Sequence, residues 1–282
     1  MSEPVPPGPR VHPFSIGKAP ALVVSDGPLG LGAPVEEFDD LPAETVSALA
    51  RRYGLPPDRT PLAQNALVVV LDGRPVLFDT GTGPELAFGP DSGRLIESLG
   101  EAGLRPDDIA AVVLTHIHPD HAWGLVDTDG RPAFPKATVH IAAEELAYVA
   151  AASTTGKYVG HHRAVMATCS HQVRPFDIGG EVMPGITAIP TPGHSIAHTS
   201  YRVSSGGETV LVLGDVMHHP MLAERTDLTY RYDYDRVRSA TTRRAVLARC
   251  ADEGTRVLGY HFPWPGLGHF AVAGDGYIFQ PD

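Results

Sequence analysis

The sequence is poor in lysine and in cysteine. Three lysines stand among 282 residues and the formal net charge is −11, so the chain as a whole repels a phosphate backbone. Binding to nucleic acid is therefore not expected. The two cysteines, Cys169 and Cys250, are too few for a disulfide framework and are predicted to be small buried residues, which suits a reducing compartment.

Long apolar runs are also missing. No run approaches the roughly 18 residues that cross a bilayer, and the first residues lack the basic and apolar regions of a secretion signal. These absences predict a soluble cytoplasmic protein with no membrane partner. The glycine-rich stretch 79–83 (Asp-Thr-Gly-Thr-Gly) lacks the lysine of a phosphate-binding loop, so a nucleotide site is not expected either.

The hydrophobic content of 43% is ample for a large core, and residues 1–282 are predicted to form one domain. The prolines of residues 1–13 predict an extended arm. Residues 153–175 fit neither the helical nor the strand period and predict a loop or short-helix insertion that serves as an active-site lid. Strands are predicted at 21–25, 66–71, 75–78, 109–114, 137–141, 186–189, 199–203, 209–213 and 256–260, and helices at 42–53, 142–152 and 233–251.

Four side chains that can bind a metal ion follow the apolar run 109–114 within a few residues: His116, His118, Asp120 and His121. Side chains alternate in an extended segment, so His116 and His118 share one side and can hold one cation. Pro119 stops the strand, and Asp120 is predicted at the N-cap of a following helix. From there Asp120 and His121 can reach a second cation.

Three further candidate ligands each follow an apolar run: His194, Asp215 and His261. Together with the first cluster they make seven ligands, more than one cation needs. Asp79 also emerges at the end of a predicted strand. On the residues alone, Asp79 can be a turn aspartate that bonds nearby backbone.

The order of these residues resembles that of the metallo-β-lactamase superfamily of dinuclear hydrolases, from about Asn65 to the C-terminus. Within that superfamily, the stretches 214–220 and 261–269 look most like the branch that contains methyl parathion hydrolase and the quorum-quenching lactonases. The stretch 193–198 departs from the usual Gly-His-Thr-Pro-Gly-His but keeps His194. The resemblance implies an α+β fold, a four-layer αββα sandwich of two mixed sheets flanked by helices.

The resemblance also implies roles for the candidate residues. It places His116, His118 and His194 in one site and Asp120, His121 and His261 in a second, with Asp215 between them. Asp120 and Asp215 are expected to take part in catalysis, and Asp79, His198 and His269 to lie behind the ligands and orient them. Two divalent metal ions per chain follow; zinc suits this histidine-rich, thiolate-free set best, and iron, cobalt or manganese are alternatives.

Apolar and aromatic residues flank the ligand segments and are predicted to line a substrate pocket: Trp123, Met217, His218, Phe262 and Trp264. His218 is expected to contact the substrate or its leaving group. Such a pocket favours a neutral small molecule with an apolar arm. With so few lysines there is no evident ammonium group for the carboxylate of a β-lactam.

The predicted activity is hydrolysis of a lactone or an ester by a hydroxide held between two metal ions, with phosphotriester hydrolysis as a neighbouring activity. On the same fold, β-lactam or thioester hydrolysis and a diiron oxidoreductase or dioxygenase remain open. Electron-transfer diiron relatives carry a carboxylate in place of His118, so this residue favours hydrolysis. The expected partner is a small-molecule substrate, and a homodimer is left open.

Overall fold

The computed structural model describes residues 9–84 and 88–282. The strands are β1 (Val11–Ile16), β2 (Ala19–Ser25), β3 (Leu29–Leu31), β4 (Thr60–Leu62), β5 (Asn65–Leu71), β6 (Arg74–Phe78), β7 (Ala111–Val113), β8 (Thr138–Ala142), β9 (Val173–Phe176), β10 (Glu181–Met183), β11 (Ile186–Pro190), β12 (Thr199–Ser205), β13 (Glu208–Val212), β14 (Arg256–Leu258), β15 (Leu267–Ala273) and β16 (Gly276–Pro281). The helices are α1 (Pro34–Glu37), α2 (Ala43–Arg52), α3 (Leu95–Glu101), α4 (Pro119–Ala122), α5 (Ala143–Ala150), α6 (Val159–Thr168), α7 (Met221–Glu224) and α8 (Arg236–Glu253).

Local sequence accounts for several of these boundaries. Asp72 and Gly73 have φ values of 49° and 73°, which the two-residue turn between β5 and β6 requires. The side chain of Asp235 accepts a hydrogen bond from the Arg238 N–H and caps the start of α8. Gly254, with φ of 62°, ends that helix in the left-handed conformation that glycine adopts without strain.

Two seven-stranded mixed sheets form the centre of the fold. Their orders are β1-β2-β5-β6-β7-β8-β9 and β10-β11-β12-β13-β14-β15-β16. In the first sheet β6, β7, β8 and β9 run parallel, and in the second β13 and β14 do. Because the carboxyl ends of parallel strands meet at one edge of a sheet, the residues that follow β6 and β7, and those that follow β13 and β14, are brought together.

Apolar side chains fill the space between the sheets and the space under the outer helices. Leu67, Phe78, Tyr201 and Val212 belong to the layer between the sheets. A second layer packs α3, α5 and α6 on one sheet, and a third packs α2 and α8 on the other. This arrangement confirms the predicted αββα sandwich. None of the helices in residues 9–84 and 88–282 is long and apolar enough to cross a membrane.

The predicted N-terminal arm is wrong from Val11 onward, since Val11–Ile16 is β1 and pairs with β2. Residues 1–8 lie outside the described residues. Pro13 does not prevent this pairing, because β1 is an edge strand and an edge strand needs only one row of its N–H groups for the sheet.

Residues 153–175 are not a loop. They contain α6 and lead into β9, the edge strand of the first sheet. Val165 and Met166 on α6 are buried in the core beside α5, which fits the short-helix alternative. The lid function stays a prediction. Three polar or basic residues in the first half of α6 obscured the pattern: His161 and His162 contact Trp123, and Arg163 donates hydrogen bonds to backbone carbonyls at the end of α5 and just after it.

Candidate metal centre

Five segments meet where the strands of the two sheets end. Asp79 follows β6, the 116–121 segment follows β7, His194 follows β11, Asp215 follows β13 and His261 follows β14. Each segment is anchored by a strand of the core, so the side chains are held on the rigid part of the fold. The sheet topology therefore brings side chains that are far apart in the sequence into one spatial cluster.

The first turn of α4 places Asp120 and His121. His118 is the N-cap residue of this helix and Pro119 is its first residue, a position that proline favours. The prediction of Asp120 as the N-cap is wrong by two residues. Asp120 and His121 nevertheless point from the first turn toward the cluster, as the sequence analysis expected.

We call the first half of the cluster the histidine group. Ligand atoms of His116, His118 and His194 lie within 4.8 Å of one another. The Nδ1 atom of His118 is 2.8 Å from the Nε2 atom of His194. Three imidazole nitrogens at this spacing match the protein ligands of a catalytic zinc site.

We call the second half the carboxylate group. It consists of Asp120, His121, Asp215 and His261, whose ligand atoms also lie within 4.8 Å of one another. His261 Nε2 is 3.2 Å from Asp120 Oδ2, and His121 Nε2 is 3.2 Å from Asp215 Oδ1. This group supplies two nitrogens and two carboxylates.

Asp215 touches both groups. Its Oδ2 atom is 3.2 Å from His194 Nε2 and 3.4 Å from His261 Nε2. The same oxygen is 3.1 Å from Nε2 of His218, so His218 also reaches the cluster. A carboxylate in this position can serve two cations at once.

Three of the ligand atoms have no hydrogen bond of acceptable geometry to any of the described residues: His116 Nε2, His121 Nε2 and Asp215 Oδ1. All three atoms are buried and all three point into the cluster. An unpartnered buried polar atom is costly, so three such atoms in one place fit a site for a cation. The nitrogen and carboxylate donors fit divalent metal ions, and both cysteines are buried in the apolar layers instead.

Hydrogen bonds behind the cluster fix which ring nitrogen each histidine presents. His121 donates from Nδ1 to Asp79 Oδ2 at 2.9 Å, and His261 donates from Nδ1 to the Ala63 carbonyl at 2.8 Å. Asp79 also accepts a bond from the Thr115 N–H at 2.8 Å. Asp79 thus contacts a ligand and ligand-segment backbone, and its φ of 59°, unusual for a residue other than glycine, belongs to a position held by these contacts.

Asp233 plays the same part for the histidine group and was missed in the sequence. Its Oδ1 atom accepts a hydrogen bond from Nδ1 of His194 at 2.9 Å, which leaves Nε2 free for the cluster. Burial acts to raise the pKa of this carboxylate, but the hydrogen bond from His194 together with the nearby His194 and His218 rings lowers the pKa overall. Asp233 follows no apolar run, so the pattern that revealed the other ligands gave no signal here.

The two groups differ in charge. Burial and the neighbouring imidazoles lower the pKa of His116 well below its usual value, and burial lowers the pKa of His118 likewise. In the carboxylate group burial is outweighed by Asp215 and Asp120, which raise the pKa of His261 to about 9 and that of His121 well above its usual value. Without a cation, His121 and His261 therefore hold protons that His116 and His118 do not.

Three residues were predicted to lie behind the ligands: Asp79 and His198 do so, and His269 does not. His198 is buried, and its Nε2 accepts the N–H of Asp215 at 2.8 Å. Burial lowers the pKa of His198 to about 3, so it stays neutral and can accept that bond. The prediction for His269 is wrong: its side chain is 43% exposed and faces Asp282, because Gly268 and Phe270 take the buried positions of β15.

The predicted pocket is partly wrong. Met217 and Phe262 are fully buried and belong to the apolar layer under α8, while Trp264 packs against the layer between the sheets. Trp123 is also a core residue, and its Nε1–H donates to Nδ1 of His162. His218 alone of the five reaches the ligand cluster. Apolar residues beside strand ends face the core as readily as the cleft, and the sequence does not distinguish the two.

Aromatic residues that were not predicted lie beside the cluster. Tyr230 packs on His218 with ring centroids 3.8 Å apart, and Tyr232 packs on Tyr230 at 5.2 Å and is 51% exposed. On the Trp123 side, Tyr158 packs on that ring at 5.4 Å. The apolar surface near the ligands therefore comes from a tyrosine-rich segment before α8 and from the start of α6.

A layered sandwich with histidine and aspartate ligands at its strand ends is the architecture of a metal-dependent hydrolase. The model of the metallo-beta-lactamase superfamily matches residues 59–249, more than half of the chain. The chain belongs to this superfamily.

Comparisons with individual proteins agree with this assignment. A Mycobacterium tuberculosis protein named as a probable metallo-hydrolase is 25% identical over 242 residues, covering 71% of this chain and 74% of that protein. An N-acyl homoserine lactonase of Bacillus cereus is 26% identical over 120 residues, 43% of each chain. The solved structure of AidC, a dizinc quorum-quenching lactonase, superposes with a TM-score of 0.89 at 23% identity and covers 96% of this chain and 97% of AidC.

Proposed function

We propose that this hydrolase cleaves a lactone or an ester that carries an apolar group, and that it does so with two divalent metal ions, zinc in both sites. The observation that carries the proposal is the pair of ligand groups that share Asp215. The names of the relatives support the substrate class, since AidC and the Bacillus cereus protein are both named as lactonases. AidC is also named as a dizinc enzyme.

The seven ligands would hold the two ions, His116, His118 and His194 on one side and Asp120, His121 and His261 on the other, with Asp215 shared. When bound, such ions supply a hydroxide nucleophile at neutral pH and a Lewis acid for the carbonyl oxygen. The protein contributes the positions of the ligands and a largely water-excluding surround. Asp120 keeps 11% of its side chain exposed and Asp215 only 3%, so Asp120 is the carboxylate that faces the cleft and can contact the reacting group.

His218 is placed to contact the substrate beside the ligands. Burial lowers its pKa to about 4, against the opposing effect of Asp215, so the imidazole is neutral near pH 7. A neutral ring that is packed on Tyr230 can hydrogen-bond an ester or lactone oxygen without adding charge. Tyr232 and Tyr158 then provide apolar surface for the rest of the substrate, in the place of Met217 and Phe262, and Tyr230 is buried behind His218.

A substrate screen tests this proposal. Purified protein of known metal content is assayed with acyl-homoserine lactones of increasing chain length, aryl esters, a phosphotriester and a chromogenic β-lactam, with Asp215→Asn as the control for contaminating activity. Lactones or esters should be cleaved best, and kcat/KM should rise several-fold per added carbon until the surface is filled, because one methylene is worth roughly 1 kcal/mol.

Three results would count against it. A β-lactam cleaved faster than every lactone and ester would change the substrate class. A kcat/KM that does not change with acyl chain length would show that no apolar surface contacts the acyl group. Iron in the purified protein together with substrate-dependent oxygen uptake would favour the dioxygenase alternative over hydrolysis.

A further inference from the structure

A buried carboxylate that is not a ligand lies between the two segments that carry the histidine group. Glu145 is in the first turn of α5, and its side chain is buried. Its Oε1 atom accepts the Ile117 N–H at 3.3 Å. Its Oε2 atom accepts the Ser195 hydroxyl at 2.9 Å and the Ala197 N–H at 3.1 Å.

These donors are next to the ligands. Ile117 lies between His116 and His118, and Ser195 directly follows His194. One oxygen of Glu145 therefore holds the segment of the first sheet, and the other holds the segment of the second sheet. The bonds go mainly to backbone, so they set the path of both segments and, through it, the spacing of the three imidazoles.

Burying a carboxylate has no benefit for packing alone. A buried charge destabilises a fold unless hydrogen bonds satisfy it, and an apolar residue at this position of α5 would pack at lower cost. Here all the recorded donors to the carboxylate come from the two ligand segments. The contacts indicate a role in the site.

We propose that Glu145 is a positioning residue that braces the two segments of the histidine group against each other and so sets the metal affinity of that group. The proposal rests on the proposed function in one respect, that His116, His118 and His194 hold a metal ion. Glu145 itself touches neither metal nor substrate.

Glu145→Gln is the variant that breaks the brace at constant volume. An amide has one acceptor oxygen, so one of the two segments would meet an NH2 group in place of an acceptor. Asp26→Asn is the matched control. Asp26 is another buried carboxylate that accepts backbone hydrogen bonds, from Thr82, Gly93 and Leu95, and none of these residues belongs to a ligand segment.

The experiment titrates metal-free full-length protein with Zn²⁺ in competition with a chromophoric chelator and records thermal unfolding of the metal-free protein. His118→Ala identifies which binding step belongs to the histidine group. Glu145→Gln should weaken that step about 10 to 100-fold, the range for groups behind ligands, and leave the other step unchanged. The visible spectrum of cobalt-substituted Glu145→Gln should differ from that of the cobalt-substituted parent. Asp26→Asn should lower Tm and leave both steps as in the parent.

Unchanged zinc affinity of Glu145→Gln with a lowered Tm would overturn the proposal and reduce Glu145 to a residue that stabilises the fold. If Glu145→Gln does not fold, Ser195→Ala removes one of the three bonds, and a few-fold loss in the same step is expected; no loss would overturn the proposal equally. A parent protein that binds no zinc would instead contradict the proposed function itself, a result distinct from failure of the brace.

Discussion

The histidine group and the carboxylate group lie side by side, yet they are built on different principles. The histidine group has no carboxylate of its own, and burial holds the pKa of His116 and His118 low. The carboxylate group contains Asp120 and Asp215, which raise the pKa of His121 and His261. His116 and His118 are therefore ready for a cation without losing a proton, whereas His121 and His261 must release protons to bind one.

Each half also has a carboxylate that lies behind its ligands. Asp79 orients His121 in the carboxylate group, and Asp233 orients His194 in the histidine group. Asp215 is the candidate ligand that contacts members of both groups. Each half therefore has its own orienting carboxylate, and the two halves share Asp215.

The largest effect is expected at the shared ligand. Asp215→Ala should lose both metal ions, because it removes a ligand from each half and leaves five imidazoles and one carboxylate close together. Asp79→Ala, which removes only an orienting group, should lose about 10 to 100-fold in affinity. Metal content after dialysis, measured by mass spectrometry, checks the order. Equal retention of metal by the two variants would mean that Asp215 is not shared.

The next largest effect on metal binding is expected when one ligand is removed from a single half. His118→Ala should bind one ion per chain in the carboxylate group, and His261→Ala one ion in the histidine group. Each loses one ligand of a single half, so the other half keeps its full set. Anomalous scattering from crystals of the two variants locates the remaining ion. Loss of both ions in both variants would show that the halves are one cooperative site.

A smaller effect is expected from the supports. Asp233→Asn should weaken the histidine-group step about tenfold, since His194 loses the carboxylate that fixes its tautomer, and should leave the carboxylate-group step unchanged. Asp79→Asn should do the reverse. Zinc competition titrations of the two variants give both steps in one experiment. Weakening of the same step in both would break the assignment of one support to each half.

No effect on metal binding is expected at Asp26, because this residue lies outside both halves. Burial raises its pKa from 3.8 to about 6, so the folded protein binds this proton more tightly than the unfolded chain does. The resulting stabilisation is present below about pH 4 and is lost as the pH rises through 6. The free energy of unfolding of the parent should therefore fall by about 2 kcal/mol relative to Asp26→Asn between pH 4 and 7.5.

Urea unfolding of both proteins across this pH range measures the difference. A difference that does not change with pH would show that Asp26 is ionised throughout, held by its hydrogen bonds. In either case, the zinc affinity of Asp26→Asn should match that of the parent.

The candidate ligands could be picked out from the sequence because their signals are local. His116 to His121 are close together in the chain, and His194, Asp215 and His261 each follow an apolar strand. The structure brings all seven together. The sandwich itself was confirmed, but periodicity showed only the mixture of strands and helices, and the edge strand β1 and the helix α6 were obscured by prolines and polar residues.

What surrounds the ligands could not be predicted from the same signals. Asp233 and Glu145 act through contacts with residues 39 and 50 positions away, which no local pattern encodes. Phe262 and Met217 look like pocket residues in the sequence because they adjoin ligands. Which side of the chain they face depends on the packing of α8 on the second sheet, and there they fill the core.

The most direct test of the two-part centre is a titration of metal-free protein with Zn²⁺ while hydrolysis of its best lactone or ester is followed. The account predicts that activity stays low up to about one equivalent and rises to its maximum as the second equivalent binds, because both groups must be filled. Full activity at one equivalent, with no further binding detected, would contradict it.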